Sequence, residues 1–132
     1  MKEMAALGAE IRSLIAQNRT DDAQAVLERA WKLIPEPKAD YETTVSFLRS
    51  AVRLMAESSN PSLARRWANE FGTAPFSAID AEPDYLLGIM NYALGNHEEA
   101  FMHFKKASDM SKGRCFEGED PKYKKFFKSF RS

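Results

Sequence analysis

With 132 residues, 44% of them hydrophobic, the chain fits one compact domain with a core, and its formal net charge of zero at pH 7 predicts no strong overall field. A single cysteine, Cys115, excludes a disulfide within the chain, and no apolar run approaches the roughly 20 residues needed to cross a bilayer. Because Glu10 and Arg12 interrupt the apolar N-terminal segment, it lacks the core of a signal peptide, and we expect a cytoplasmic protein with no membrane partner.

Apolar residues recur at helical spacing through the first half of the chain. Thr20 or Asp21 is placed to cap the second predicted helix, Pro35 ends that helix, and Asp40 is placed to cap the third. Asparagine followed by proline at 60–61 precedes the fourth. The periodic residues of these four helices are Leu7, Ile11, Leu14 and Ile15; Ala23, Val26, Leu27, Ala30, Trp31 and Ile34; Val45, Leu48, Val52 and Met55; and Leu63, Ala64, Trp67, Ala68 and Phe71.

Two more helices are predicted after residues 72–83, which form the longest irregular connection. Pro83 begins the fifth helix, and Gly95–Asn96 makes a tight turn before the sixth. Their periodic residues are Leu86, Leu87, Met90 and Leu94, then Ala100, Phe101, Phe104 and Ala107. Since no alternating strand pattern of useful length occurs, the sequence predicts an all-α fold built from helix pairs.

Small and aromatic residues stand at regular positions in residues 82–112, namely Leu87, Gly88, Tyr92, Gly95, Ala100, Phe104 and Ala107. This order resembles a tetratricopeptide repeat. In that register Gly88 and Ala100 let the two helices approach closely, and Phe104 fills the gap against the next helix. Gly95 permits the positive φ of the turn.

The same register recurs upstream. Ala23, Leu27, Ala30 and Pro35 match the second helix and closing proline of one repeat. Ala64, Ala68 and Phe71 match a middle repeat, in which Val52 stands where the glycine is expected. The resemblance implies a single domain, residues 1–132, folded as a short right-handed solenoid of three helix pairs at about residues 4–37, 40–73 and 82–112.

The end of the chain is basic, since residues 105–132 carry nine Lys or Arg and four Asp or Glu. Asp120–Pro121 starts a helix whose aromatic residues recur at i, i+3, i+4 and i+7, with the lysines mainly off that stripe. The stripe is Tyr123, Phe126, Phe127 and Phe130. We expect a capping helix over residues 120–131, packed on the third repeat. A partner-binding edge is an alternative, and a nucleic-acid patch is disfavoured because the spacing indicates buried aromatics.

No motif for catalysis or metal binding appears. His97 and His103 are six residues apart, which is not the i, i+4 spacing of a helical metal pair. Gly113 and Gly118 imitate a phosphate-binding loop, but Glu119–Asp120 stands where lysine and a hydroxyl residue are required. We therefore expect a protein that is not an enzyme and that holds neither cofactor nor metal.

The resemblance also implies a concave groove lined by the first helix of each repeat. The matching residues are Arg12 from the first repeat, Arg49 and Arg53 from the middle one, and Glu82, Tyr85, Ile89 and Tyr92 from the third. Arginine and tyrosine are enriched at binding hot spots, which favours partner binding here. Alternatively, Arg49 and Arg53 are solvated or paired with Glu57. The lysines and asparagines of the family's carboxylate clamp have no match.

These features favour a non-catalytic protein–protein interaction module, with no oligomeric state predicted. The closing GRCFEGEDPKYKKFF is similar to the C-termini of small bacterial immunity proteins, which bind and neutralise a cognate toxin. The alternative is a scaffold or adaptor subunit of a secretion or regulatory complex. A nucleic-acid-associated regulator that uses the basic C-terminal tail is less favoured.

Overall fold

The computed structural model describes the backbone of residues 2–130 and the side chains of residues 6–130. Within this range there are helices and turns and no strand, which confirms the all-α prediction. The α-helices are α1 (Lys2–Ala16), α2 (Thr20–Lys32), α3 (Glu42–Ala56), α4 (Ala64–Ala68), α5 (Glu82–Ala93), α6 (His97–Ser111) and α7 (Pro121–Phe130). Short 3-10 turns cover Lys38–Asp40, Pro61–Leu63, Phe71–Thr73 and Arg114–Phe116.

Successive helices pack in pairs, α1 with α2, α3 with α4 and α5 with α6. The chain divides into two compact units, Met1–Pro75 and Phe76–Ser132, called unit 1 and unit 2 below. Unit 1 holds the first two helix pairs, and unit 2 holds the third pair together with α7. The single domain of residues 1–132 stays a prediction.

The core of unit 1 is centred on three aromatic rings. Trp31 of α2, Phe47 of α3 and Trp67 of α4 lie with ring centroids 5.3–5.9 Å apart. Trp67 is fully buried, and its Nε1 donates to Oε1 of Gln24 at 2.8 Å, so the one polar atom of the indole is satisfied. Each helix of the two pairs except α1 supplies one of the rings, which fixes α3 and α4 against α2.

A charged group also joins α4 to α2. The guanidinium of Arg66 lies 2.9 Å from Glu28 and 2.6 Å from Glu70, and its carbon sits 4.5 Å from the centre of the Trp67 ring. The hydrogen bond with Glu28 is the largest cause that raises the pKa of Arg66, while partial burial acts in the opposite direction. The arginine therefore stays charged and holds the short α4 in place.

The predicted fourth helix is only partly correct. Its five α-helical residues lie between two 3-10 turns, so the continuous helix expected from Leu63 to Phe71 is wrong. Side chains before α4 bond locally, since Ser62 Oγ donates to Asn60 Oδ1 at 2.7 Å and the amide of Asn60 donates to Ser58 Oγ at 3.2 Å. Such bonds compete with helix formation and occupy the side chain expected to cap the helix.

The caps predicted for α2 and α3 are also wrong. The residue before α2 is Arg19, and neither helix has a side-chain cap hydrogen bond. Asp40 lies within a 3-10 turn, two residues ahead of the first residue of α3. Thr44 secures this junction instead, because its buried hydroxyl donates to the carbonyl oxygen of Lys38 at 2.6 Å.

The close approach predicted in unit 2 is confirmed. A Cβ atom added at Gly88 would lie 2.5 Å from Cδ1 of Phe104, closer than atoms can pack, so only glycine leaves room for this ring. Phe104, on α6, is fully buried, and its ring contacts Tyr85 of α5 and Tyr123 of α7. Gly95 has φ +80°, as the predicted turn requires.

The last helix packs on this pair through its predicted aromatic stripe. Tyr123 is 2% exposed and lies 5.8 Å, between ring centroids, from Phe104. Phe127 stacks on Phe101 of α6 at 5.2 Å. The C-terminal helix therefore covers the α5–α6 pair, and residue 131, its predicted last residue, lies outside the described residues.

Candidate binding groove

A groove of about 360 Å³ opens on unit 1 between α1, α2 and α3. It is called groove 1 below. The lining residues are Gly8, Ile11, Arg12, Leu27, Ala30, Thr43, Ser46, Phe47, Ser50 and Leu54. Most of this lining is apolar or hydroxyl-bearing, and Arg12 is the charged side chain among the lining residues that the structure describes, so it gives the groove a positive charge.

Two stripes of α3 explain how the helix forms both core and groove. Its buried residues are Thr44, Val45, Leu48, Ala51, Val52, Met55 and Ala56. Its groove residues, at positions 43, 46, 47, 50 and 54, follow a second helical stripe. Phe47 belongs to both environments, because it is half-buried in the aromatic cluster with Trp31 and Trp67 and also lines groove 1.

The one cation of groove 1 lies along α1. Arg12 is exposed, and its Nη1 would lie 3.8 Å from a Cβ atom built at Gly8, one turn earlier. The guanidinium therefore runs back over the glycine, in the direction that helical side chains favour. A fork of donors beside an aromatic floor suits a carboxylate that adjoins an apolar side chain.

Of the seven predicted partner-binding residues, Arg12 is the one that lines groove 1. Arg49 and Arg53 lie on α3, half-buried and outside the groove stripe, and both make interactions within the protein. The sequence register aligned Val52 with a family glycine and so selected a side of α3 other than the one that lines groove 1. Binding by these two arginines stays a prediction.

The other four predicted residues lie in unit 2. Tyr85 is 2% exposed and Ile89 is fully buried, and the Tyr85 ring packs 5.3 Å from Phe104. Tyr92 is half-buried against Phe126, with ring centroids 5.1 Å apart. Glu82 is the first residue of α5. In the described structure the three apolar or aromatic side chains contribute to packing, and a binding role for the four stays a prediction.

Sequence reasoning missed the groove stripe of α3, which includes Thr43, Ser46, Phe47 and Ser50. Their spacing of i, i+3, i+4 and i+7 was available as a signal. It is a weak one, because threonine and serine are common on any solvated helix face. Only the packing of α1 and α2 beside them turns this stripe into the wall of a groove.

The two histidines, which are the side chains best suited to acid–base chemistry or metal binding, contact other side chains of the protein. Nδ1 of His103 lies 3.1 Å from Oδ1 of Asp84, and Lys106 Nζ lies 3.6 Å from the other oxygen of that carboxylate. His97 stacks on Tyr92, with ring centroids 6.0 Å apart.

Among the side chains described, no group of three or more His, Cys, Asp or Glu residues is arranged to hold a metal ion. None of the described helices has the length and apolar character to span a membrane.

No protein family, curated protein or solved structure matches this chain. The likeness to tetratricopeptide repeats and to immunity proteins therefore rests on the residues of the sequence itself. What stands independently of that likeness is an all-α chain of paired helices with a groove on unit 1.

Proposed function

We propose that the chain is a non-catalytic protein-binding module, built as a short right-handed solenoid of three tetratricopeptide-like helix pairs and closed by α7. The single observation that carries the binding proposal is groove 1, whose lining combines one guanidinium, one aromatic ring and several hydroxyl groups. The pairing of successive helices and the contact of Phe104 with Gly88 support the repeat architecture.

The chemistry of groove 1 favours a protein segment as its occupant. Phe47 and Leu54 supply apolar area, while Thr43, Ser46 and Ser50 supply hydroxyls that adapt to donors or acceptors. Phe47 is held by two tryptophan rings, so its position needs little reordering when a partner binds. The matching ligand has an apolar side chain that enters the groove and a carboxylate that meets Arg12.

Charge reversal at Arg12 tests this proposal. A partner is first captured from native cell lysate with the tagged full-length chain and identified by mass spectrometry. Arg12→Glu should then weaken calorimetric binding of that partner about tenfold or more, because repulsion adds to the lost hydrogen bonds. Arg65→Glu is the matched control, since Arg65 is an exposed arginine of unit 1 that does not line groove 1. Equal affinity for the Arg12→Glu variant and wild type would remove groove 1 from the binding site.

The most specific form of the proposal is a bacterial immunity protein that binds and neutralises a cognate toxin. Its support is the similarity of the C-terminal sequence to that of small proteins of this type. Co-expression decides between this role and the alternative of a scaffold or adaptor. If the captured partner is toxic when produced alone, the wild-type chain should restore growth and Arg12→Glu should not. A partner that is harmless alone and that joins a larger assembly through this chain would favour the scaffold.

A further inference from the structure

A second groove, of about 530 Å³, lies wholly within unit 2, where α6 ends and α7 passes beside it. It is called groove 2. Its lining residues are Ser108, Lys112, Gly113, Phe116, Glu117, Lys124, Phe127 and Lys128. None of them belongs to groove 1 or to the seven partner-binding residues predicted from the sequence.

The rim of groove 2 is basic. Three lysines and one glutamate line it, which leaves a net positive charge of two. Lys112, Lys124 and Lys128 are all exposed. Lys124 and Lys128 are four residues apart on α7 and therefore share one face of that helix. Like charges at this spacing repel one another, so an anion held between them would relieve an unfavourable interaction.

The floor of groove 2 is aromatic and already fixed. Phe116 is 8% exposed, and its ring lies 5.3 Å from that of Phe127. Phe127 in turn stacks on Phe101, with centroids 5.2 Å apart. Each ring is immobilised by a neighbour, so an apolar group that enters the groove meets a surface that needs no reordering.

The backbone at Lys112 adds a third observation. Lys112 closes α6 in the left-handed conformation, with φ 56° and ψ 43°, and Gly113 follows with φ 81°. The amide of Gly113 donates to the carbonyl oxygen of Ser108 at 2.9 Å, as in a normal helix end. Glycine is the residue that this conformation favours at such a position. A lysine here is unfavourable for the backbone, and it puts an ammonium group on the rim of groove 2.

We propose that groove 2 binds an acidic segment of a partner protein. Carboxylates of that segment meet Lys112, Lys124 and Lys128, and one apolar side chain rests on Phe116 and Phe127. A protein segment fits better than a nucleic acid, because base stacking needs a broad exposed aromatic face and Phe116 is only 8% exposed, whereas one apolar side chain needs only a small contact. Arg12 does not line groove 2, so a test of binding at groove 2 is independent of the proposal for groove 1.

Fluorescence anisotropy with the full chain tests the proposal. The probes are a short labelled peptide of Asp and Glu around one central Phe, the same peptide with Ser in place of Phe, and a single-stranded oligonucleotide of equal charge. We expect the Phe peptide to bind more tightly than the other two. Lys124→Glu with Lys128→Glu should weaken its binding about tenfold or more. Lys122→Glu with Lys125→Glu makes the same charge change on the same helix outside the groove and should weaken binding no more than about threefold.

Two further variants separate binding from folding. Lys112→Gly should leave the melting temperature unchanged or raise it, while it measurably weakens binding of the Phe peptide. Arg12→Glu should leave the affinity for that peptide unchanged. Circular dichroism confirms that each variant is folded. The proposal is overturned if wild type does not bind the Phe peptide, if both lysine pairs lose affinity equally, or if the Ser peptide or the oligonucleotide binds as tightly as the Phe peptide.

Discussion

At the scale of single residues, the contact between Gly88 and Phe104 sets how closely α5 and α6 approach. The ring of Phe104 occupies the volume that any side chain at position 88 would need. Gly8 is a useful contrast, because it is also helical and, among the described residues, the nearest atom to a Cβ built there is in the Arg12 guanidinium, at 3.8 Å. The same substitution should therefore have opposite effects at these two glycines.

Gly88→Ala should destabilise the protein by about 1–3 kcal/mol, the usual effect of forcing an extra methyl group into a packed core. Gly8→Ala should stabilise it by up to about 1 kcal/mol, because alanine is the better helix former. Urea unfolding followed by circular dichroism measures both. Phe104→Leu, which shortens the opposing ring, should reduce the penalty in the Gly88→Ala background. Equal effects at the two glycines would show that α5 and α6 do not approach in this register.

Cys115 offers a prediction about pH. Burial of the thiol is the largest cause that raises its pKa, and Glu119 acts in the same direction, whereas Ser111 lowers the pKa through a side-chain hydrogen bond. Because the thiolate is the reactive form, the pH at which alkylation by iodoacetamide is half-maximal should be higher for the native protein than for the chain unfolded in urea. Ser111→Ala should move that midpoint higher still. A native midpoint below the unfolded one would mean that the thiol is not buried as described.

At the scale of helices, α7 decides whether unit 2 has a covered core. Its aromatic residues meet Tyr85 and Tyr92 of α5 and Phe101 and Phe104 of α6. Phe130, at its end, is 43% exposed. The buried half of the stripe therefore belongs to the fold, while the exposed lysines of the same helix remain available for other interactions.

Removal of residues 119–132 should lower the melting temperature and cause self-association, because the aromatic flank of α5 and α6 would then face water. Light scattering and thermal unfolding measure the two effects. Lys122→Glu with Lys125→Glu in the intact chain is the control, because it changes the charge of α7 without uncovering the core. A truncated chain that stays monomeric and melts like wild type would show that α7 is an accessory arm.

Apolar periodicity predicted the helices from the sequence, and each is present in the structure except that only Ala64–Ala68 of the fourth is α-helical. The tetratricopeptide-like register predicted that Gly88 lets α5 and α6 approach closely and that Phe104 fills the gap against the next helix, and the structure brings these two residues into direct contact. The region around α4 was not predictable at this level. There, the bonds among Ser58, Asn60 and Ser62 decide the backbone, and such local competition leaves no periodic signal.

The candidate sites were predicted less well than the helices. Arg12 lines groove 1, whereas Tyr85 and Ile89 are buried, and a binding role for all three stays a prediction. A helical stripe indicates which residues share a face, but it does not reveal whether a neighbouring helix covers that face. Groove 2 was not predicted for the same reason. Lys112 is separated along the chain from Lys124 and Lys128, and the three lysines line one groove only because α7 packs on α6.

At the scale of the whole molecule, the proposed solenoid predicts that unit 1 and unit 2 depend on each other for stability. Repeat proteins are stabilised by the stacking of each helix pair on its neighbour, so their units unfold together when those interfaces are strong. Unit 1 and unit 2 each contain an aromatic core of their own. A solenoid that is continuous through both units therefore requires the two cores to be energetically coupled.

Phe104→Ala measures that coupling. Truncation of this buried ring should cost about 3–5 kcal/mol in unit 2. In a continuous solenoid the loss of stability in unit 2 also destabilises unit 1. Amides of α3 around the fully buried Leu48 should therefore lose hydrogen-exchange protection together with those of α6. Trp67→Ala is the reciprocal variant, and it should lower protection in α6 through its effect on unit 1. Loss of protection confined to the mutated unit in both variants would mean that the units unfold independently, and the solenoid would then be the wrong description of the chain even though every helix pair is correct.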